Sequence, residues 1–306
     1  MALRGRRLLD IARRFGPDVV HGHWAIPSGD VAVRIARALG VPCVVSVHGY
    51  DIALTPAISG AARLAVKRVL SGADLVIANS RQTREAAAVL TGGNARIRTL
   101  WQGGDAVAAS CDVGSPARIA TIGHLYDFKG ASDAVTALGR CRAAGLDFRW
   151  TLVGSASRRE MAAVMRQIRE AGLADITRCV PQMPNAEVLD LLAASDILLH
   201  LPAREAYGIV VAEALGAGAA VVGSAAAGAI QDFGAHGGPV ISVPANDPAA
   251  AAAAIAALIG EPERLREVKK ASAEWGRANL GWDRYSRRLA EAYEELVASN
   301  GGGDRR

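Results

Sequence analysis

Short apolar runs alternate with stretches of helical periodicity along the whole chain. DVVHGHW (18–24), PCVVSVH (42–48), ADLVIAN (73–79) and ARIRTLW (95–101) read as strands, with helices expected over 28–39, near 59–71 and over 81–90. A second series follows: ARIATIG (117–123), FRWTLVG (148–154), ITRCV (176–180), DILLHL (196–201), AAVVG (219–223) and PVISV (239–243). Helical patterns lie between these runs near 130–143, 157–171, 185–194 and 209–217, and three more close the chain near 247–259, 261–278 and 282–298. The alanine tract after Asp247-Pro248 has strong helix formers behind a suitable first turn. Strand runs apolar on both faces fit parallel strands covered by helices on each side. The repeated βαβ pattern predicts an α/β protein with parallel sheets.

The stretch QGGDAVAASCDVGSPA (102–117) interrupts the pattern, lacks periodicity and resembles an inter-domain linker. It divides the chain into a first Rossmann-like domain over 1–110 and a second over 111–280, with a C-terminal helix and tail over 281–306 expected to pack back on the first. Two such halves would face a cleft, with ligands at the carboxyl ends of the strands. The first half has about four strands, fewer than a nucleotide-type sheet usually carries, so that domain is expected to be incomplete.

Composition narrows the field. A chain of 306 residues with 51% hydrophobic and 21% charged residues is globular and suits two domains, and it is not disordered. A net charge of +5 fits an anionic ligand, a membrane surface or nucleic acid. The lysines and arginines are scattered along the chain, which disfavours nucleic acid. Cys43, Cys111, Cys141 and Cys179 form no C-x-x-C pair and read as small hydrophobes in a reducing compartment. The N-terminal stretch MALRGRRLLDIARRFGPD reads as an amphipathic helix, too rich in arginine for a secretory signal. No run reaches the ~20 apolar residues of a membrane span. A cytoplasmic protein is expected, with peripheral contact at the inner face of a membrane as an option.

Two phosphate signatures are absent. LGAGAAVVG has Val221 where a third glycine would stand, and GHLYDFKG has no glycine before Lys129. The strongest chemical signal is LPAREAYGIVVAEALGAG (201–218). Glu205 follows a strand, Tyr207 and Gly208 form a tight turn, and a helix begins there with Glu213 two turns in. A glycine turn lets backbone approach a ligand, and a helix start offers free N–H groups and partial positive charge to a diphosphate. Glu205 can accept hydrogen bonds from sugar hydroxyls, and Glu213 can grip the vicinal diol of a ribose. Read as an isolated pair, the two glutamates are more simply a helix-dipole partner and a solvated side chain. His21 and His23 resemble a zinc pair weakly, with no third ligand apparent. Trp24 reads as packing or as a wall of an acceptor pocket.

E-x7-E in the form EAYGIVVAEA resembles the donor-site motif of retaining GT-B glycosyltransferases of family four. Further landmarks occur in the family's order: HGHWAIPSGDVAVRIARALGVPCVVSVHGYDI (21–52), ADLVIANS (73–80), QGGD (102–105), IGHLYDFKG (122–130) and AAAGAIQDF (225–233), the last resembling a glycine loop near the donor. They cover nearly the whole chain. The resemblance implies transfer of a hexose-type sugar, with retention and without a metal or other cofactor, from a UDP- or GDP-linked donor to a saccharide or glycolipid acceptor. HGYDI points towards members that build polysaccharide.

By the same resemblance, Lys129 neutralises the leaving diphosphate and Glu205 holds donor-sugar hydroxyls. His48 lies near the reacting carbon with Asp51 close by. Gly123, His124, Ala206, Tyr207, Gly208, Ile209 and Glu213 line the sugar, phosphates and ribose. His124 stands where the family usually carries arginine, Gln231 stands where glutamate is common, and the family's opening strand and glycine-rich loop have no counterpart before residue 18. The other readings are a nucleotide-sugar-binding protein without turnover and a nucleotide-sugar epimerase.

Overall fold

The computed structural model describes residues 2–104, 112–125 and 127–301. It forms two compact units, one of Met1–Trp101 with Tyr285–Arg306 and the other of Gln102–Arg284. Asp105, Cys111, Tyr126 and the expected boundary between 110 and 111 lie outside the described residues.

The first unit runs α1 (Ala2–Phe15), β1 (Val20–His23), α2 (Asp30–Leu39), β2 (Cys43–Val47), α3 (Tyr50–Ala53), α4 (Thr55–Ile58), α5 (Gly60–Gly72), β3 (Leu75–Ala78), α6 (Arg81–Thr91) and β4 (Ile97–Thr99). Its four strands pair in the order β1-β2-β3-β4, all parallel. The inner strands β2 and β3 are buried along their whole length because both faces are covered, whereas the edge strands β1 (VHGH) and β4 (IRT) are partly exposed. Val45, Val47, Val76 and Ala78 point to one face, where Ala32, Ala36, Val66 and Leu70 of α2 and α5 pack on them. Val44, Leu75 and Ile77 point to the other, where they meet Ala292 and Leu296 of the C-terminal helix. Each valine, leucine or isoleucine among them contributes roughly 1.5–3 kcal/mol on burial. The single turns α3 and α4 and a π turn over Ala25–Gly29 have no counterpart in the sequence reading, because four or five residues are too few to display a helical period.

The second unit runs β5 (Ala117–Ile122), a 3-10 turn (Asp127–Lys129), α7 (Ala131–Ala143), β6 (Phe148–Val153), α8 (Arg158–Glu170), β7 (Thr177–Val180), α9 (Asn185–Ala194), β8 (Ile197–His200), α10 (Ile209–Gly216), β9 (Ala220–Ser224), α11 (Gly228–Ala235), β10 (Val240–Val243), α12 (Pro248–Gly260) and α13 (Pro262–Asn279). The final helix α14 (Trp282–Gly301) carries the chain back into the first unit. The six strands are parallel in the order β10-β9-β8-β5-β6-β7. From β5 the chain moves outward through β6 and β7, then returns to the other side of β5 as β8. The β5/β8 boundary is therefore the switch point, where diverging connections open a crevice above the carboxyl ends.

Two local readings change. AAAGAIQDF is a short turn that enters helix α11, not a loop throughout. Gly103 and Gly104, read as linker, are buried against other backbone: a Cβ on Gly104 would come within 2.8 Å of the Ala212 and Glu213 backbone. At the amino end of β8, fully buried Asp196 and Lys269 pair at 2.8 Å, and Arg118 binds the same carboxylate at 3.0 Å. Lys269 also donates to the carbonyls of Asp112 and Ser195. This lysine on α13 thus ties that helix to the sheet. Among the described residues no helix is long and apolar enough to cross a membrane.

Candidate functional site

The β5/β8 switch point gathers charge. Lys129 ends the 3-10 turn after β5, and its ammonium donates to the Glu205 carboxylate on the loop after β8. Gly130 makes this approach possible: its φ is 80°, and a Cβ there would stand 1.9 Å from the Leu201 carbonyl oxygen. Ala203 N–H donates to the Phe128 carbonyl at 2.9 Å, fastening the lysine turn to the same loop. Glu205 is anchored by its backbone as well. Its N–H donates to Ala226 and its carbonyl accepts from Gly228 N–H, each at 3.1 Å, so the turn into α11 braces it.

Beyond Glu205 the chain turns through Gly208, with φ 93°, into α10. No side chain caps that helix, which leaves its first-turn N–H groups without an acidic neighbour of their own. Ile209, at its first position, is 37% exposed. Tyr207 is buried, and its hydroxyl donates to the Gln102 carbonyl at 2.7 Å. Burial first, then the carboxylates of Asp232 and Glu213, hold its phenol well above the usual range. Only the Tyr207 backbone is therefore offered to a ligand, while Ala206 and Ile209 flank it on the turn. Glu213 is 9% exposed on the second turn of α10.

On the other side of the switch point, Gly123 and His124 follow β5. Gly123 N–H donates to Val153 O at 3.0 Å, and His124 Nδ1 lies 2.6 Å from Ser155 Oγ. His124 is exposed. Gln231 donates to the Ala225 carbonyl at 2.6 Å and so shapes the turn before α11.

His200 escaped the sequence reading. It ends β8 beneath this turn, is buried, and its Nε2 has no hydrogen-bond partner. That nitrogen lies 3.1 Å from where a Gly208 Cβ would be. Burial lowers its pKa to about 4, with Glu205 raising it and Lys129 lowering it, so the ring is neutral. A lone histidine at the end of the apolar run in DILLHL was the signal available.

In the first unit His48 follows β2 on a sharp turn, half-buried. Asp51, expected beside the substrate, has another task here. It is 1% exposed, and its carboxylate accepts from the backbone N–H groups of Ala25, His48 and Gly49 at 2.8, 3.0 and 3.0 Å. It fixes the turn and keeps its oxygens from solvent. Asn79, also missed, donates to the His48 carbonyl at 3.5 Å, and its buried Oδ1 has no partner. His48 lies between two rings, His23 and Trp24, each with its centroid 5.5 Å away. Burial lowers its pKa, Asp51 raises it and His23 lowers it. Among the described residues no three His, Cys, Asp or Glu side chains are arranged to hold a metal ion.

The chain matches the family model for the glycosyl transferase 4-like domain over residues 1–102 and that for glycosyl transferases group 1 over residues 113–275. It is 29% identical to D-inositol 3-phosphate glycosyltransferase 1 of Catenulispora acidiphila, over 93% of this chain and 74% of that protein. It is 27% identical to glycogen synthase of Mycobacterium tuberculosis, over 98% of this chain and 74% of that protein. Its fold is similar to that of Anabaena Alr3699/HepE in complex with UDP-glucose, with TM-score 0.81 and 18% identity over 95% of this chain and 82% of the other. The two parallel sheets, the lysine–glutamate pair at the switch point and these matches lead to one statement: the chain belongs to the glycosyl transferases group 1 family and is a glycosyltransferase with the GT-B fold.

Proposed function

We propose that this glycosyltransferase moves a hexose from a nucleotide-diphosphate sugar, UDP- or GDP-linked, to a saccharide or lipid-linked acceptor with retention of configuration and without a metal ion. The observation that carries the donor assignment is the Lys129–Glu205 pair beside the uncapped start of α10. In the free protein these two charges satisfy each other. A bound donor offers each a better partner: the pyrophosphate takes the Lys129 ammonium and the first-turn N–H groups of α10, and the sugar hydroxyls take the Glu205 carboxylate. Glu213 holds the ribose diol. The C1–O bond to phosphate then breaks as the acceptor oxygen bonds to C1 on the same face, and the acceptor proton leaves with the diphosphate. Negative charge grows on the leaving group in that step, where Lys129 and the helix start stabilise it most. His48 of the first unit is assigned a substrate hydroxyl, of the sugar or of the acceptor, as its contact.

The complexes of Alr3699/HepE with UDP and with UDP-glucose favour a nucleotide-sugar donor. A melting screen against UDP-, GDP- and ADP-hexoses identifies the donor, because binding to the native state raises Tm. Turnover with that donor, with Glu205→Ala as control, tests the site. Loss of turnover in the variant is expected, and a fully active Glu205→Ala enzyme contradicts the assignment.

A further inference from the structure

The paired histidines of HGHW are not used by the donor site, yet the fold gives them defined partners. In the β1/β2 register His21 lies opposite Val44 and His23 opposite Ser46. Residues two apart share a face of a strand, so His21 and His23 stand side by side on one face of the sheet. Both nitrogens of His21 are engaged, Nδ1 with the Tyr293 hydroxyl at 2.5 Å and Nε2 with Ser46 Oγ at 2.8 Å. His23 stacks on this anchored ring, centroids 4.4 Å apart and planes 26° from parallel. Its Nδ1 lies 3.2 Å from His48 Nε2, with the two rings within 18° of parallel. Trp24 covers His48 from a backbone conformation rare for a bulky residue, φ 74°, held by its N–H donating to Ser46 O at 2.8 Å.

These contacts differ in what they specify. Asp51 and Asn79 fix the backbone of His48 and leave the ring free to turn. Stacking holds the plane of an imidazole but does not distinguish its nitrogen edge from its carbon edge. The hydrogen bond to His23 does, because a flip of the His48 ring would put carbon where Nε2 now stands. Two neutral imidazoles make such a bond with one proton between them, and the choice at one nitrogen sets the role of the other. His23 is the exposed member, and its Nε2–H tautomer, with that proton towards water, leaves Nδ1 to accept.

We infer that His23 is a positioning residue: it receives the Nε2–H of His48, locks that ring in one orientation and one tautomer, and leaves His48 Nδ1 as an acceptor for a substrate hydroxyl. The inference rests on the proposed role of His48 at the sugar. The groups facing the pair are His21, Asp51 and, through His21, the Tyr293 phenol. Burial lowers the pKa of both His21 and His48 and so favours the neutral form of those two rings.

The test uses the full chain with 15N-labelled histidine, reading tautomers by long-range proton–nitrogen correlation at neutral pH, with His48 assigned through His48→Gln. Wild type should show His48 as the Nε2–H tautomer. His23→Leu should give a mixture of tautomers. His23→Asn, whose amide oxygen can accept from the same nitrogen, should restore the single form. With the donor that raises Tm, His23→Leu should lower kcat roughly tenfold to a hundredfold through misplacement of a contact group, while KM for the donor stays within about twofold. A wild-type His48 in the Nδ1–H form, or a His48 signal unmoved by His23→Leu, overturns the inference. Failure of every nucleotide sugar to bind wild type would sink the donor proposal instead, and leaves the tautomer result standing as a separate reading.

Discussion

The two units treat charge in opposite ways. The second carries it into and onto its sheet: Asp196, Lys269 and Arg118 at the amino end of β8, Lys129 and Glu205 at the carboxyl end. The first carries a column of imidazole rings, and its one deeply buried carboxylate among the described residues, Asp51, is answered by backbone N–H groups instead of a cation. Both arrangements satisfy a buried oxygen, but they prepare different chemistry. A cation at a strand end, next to a helix start, suits an anionic diphosphate. A column of imidazole rings suits hydroxyl groups, where a directed donor or acceptor matters more than charge.

The largest effect should come from the buried network. Lys269→Met leaves the Asp196 carboxylate buried with Arg118 as its remaining cationic partner and should cost about 3–5 kcal/mol, read by denaturant unfolding. A near-neutral result would mean that charge in this core is incidental.

Next in size, Lys129→Ala should lower kcat/KM for the donor by roughly a hundredfold to a thousandfold, as loss of a group facing developing charge does. His124→Arg restores a bidentate cation on the neighbouring loop and should tighten nucleotide binding severalfold, read by titration calorimetry.

The third effect is on pH. Burial lowers the pKa of both His200 and His21 in the folded protein to about 4, from the ordinary 6.5 of histidine. From pH 6.5 downward the unfolded chain binds protons that the folded units refuse. Stability is therefore complete above pH 6.5 and falls as pH drops towards 4. For fully buried His200 the loss approaches roughly 3 kcal/mol, at about 1.4 kcal/mol per pKa unit. His200→Leu should flatten that slope in the second unit and leave the slope from His21 in the first.

The smallest effect tests surface charge in the first unit. Arg98 bridges Glu295 of α14 at 2.6 Å with side chains 30% and 49% exposed, so Arg98→Ala should cost under about 1 kcal/mol.

Every strand fell within one of the apolar runs, most plainly β2, β3, β8 and β9, which are buried along their whole length. The single turns at 25–29 and 50–58 were not, since they are too short for a period. Helix α11 was hidden in a small-residue stretch that resembled a loop. At the candidate site Glu205 and Gly208 were legible from the strand–turn–helix pattern around them, and Lys129 through the family resemblance alone. The His23–His48 pair was not. Twenty-five residues separate the two in sequence, and only the register of β1 on β2 brings them together. Lys269 is one of two adjacent lysines in the sequence, and its burial follows from which face of α13 packs on the sheet.

The central claim is that Lys129 and the start of α10 hold the pyrophosphate. Calorimetric titration of wild type, Lys129→Ala and His23→Leu with whichever of UDP, GDP or ADP binds wild type tests it directly. The account predicts at least tenfold weaker binding in Lys129→Ala, the value of about 1.4 kcal/mol in one charge-assisted contact, and near-wild-type binding in His23→Leu. Equal affinity of wild type and Lys129→Ala would contradict it.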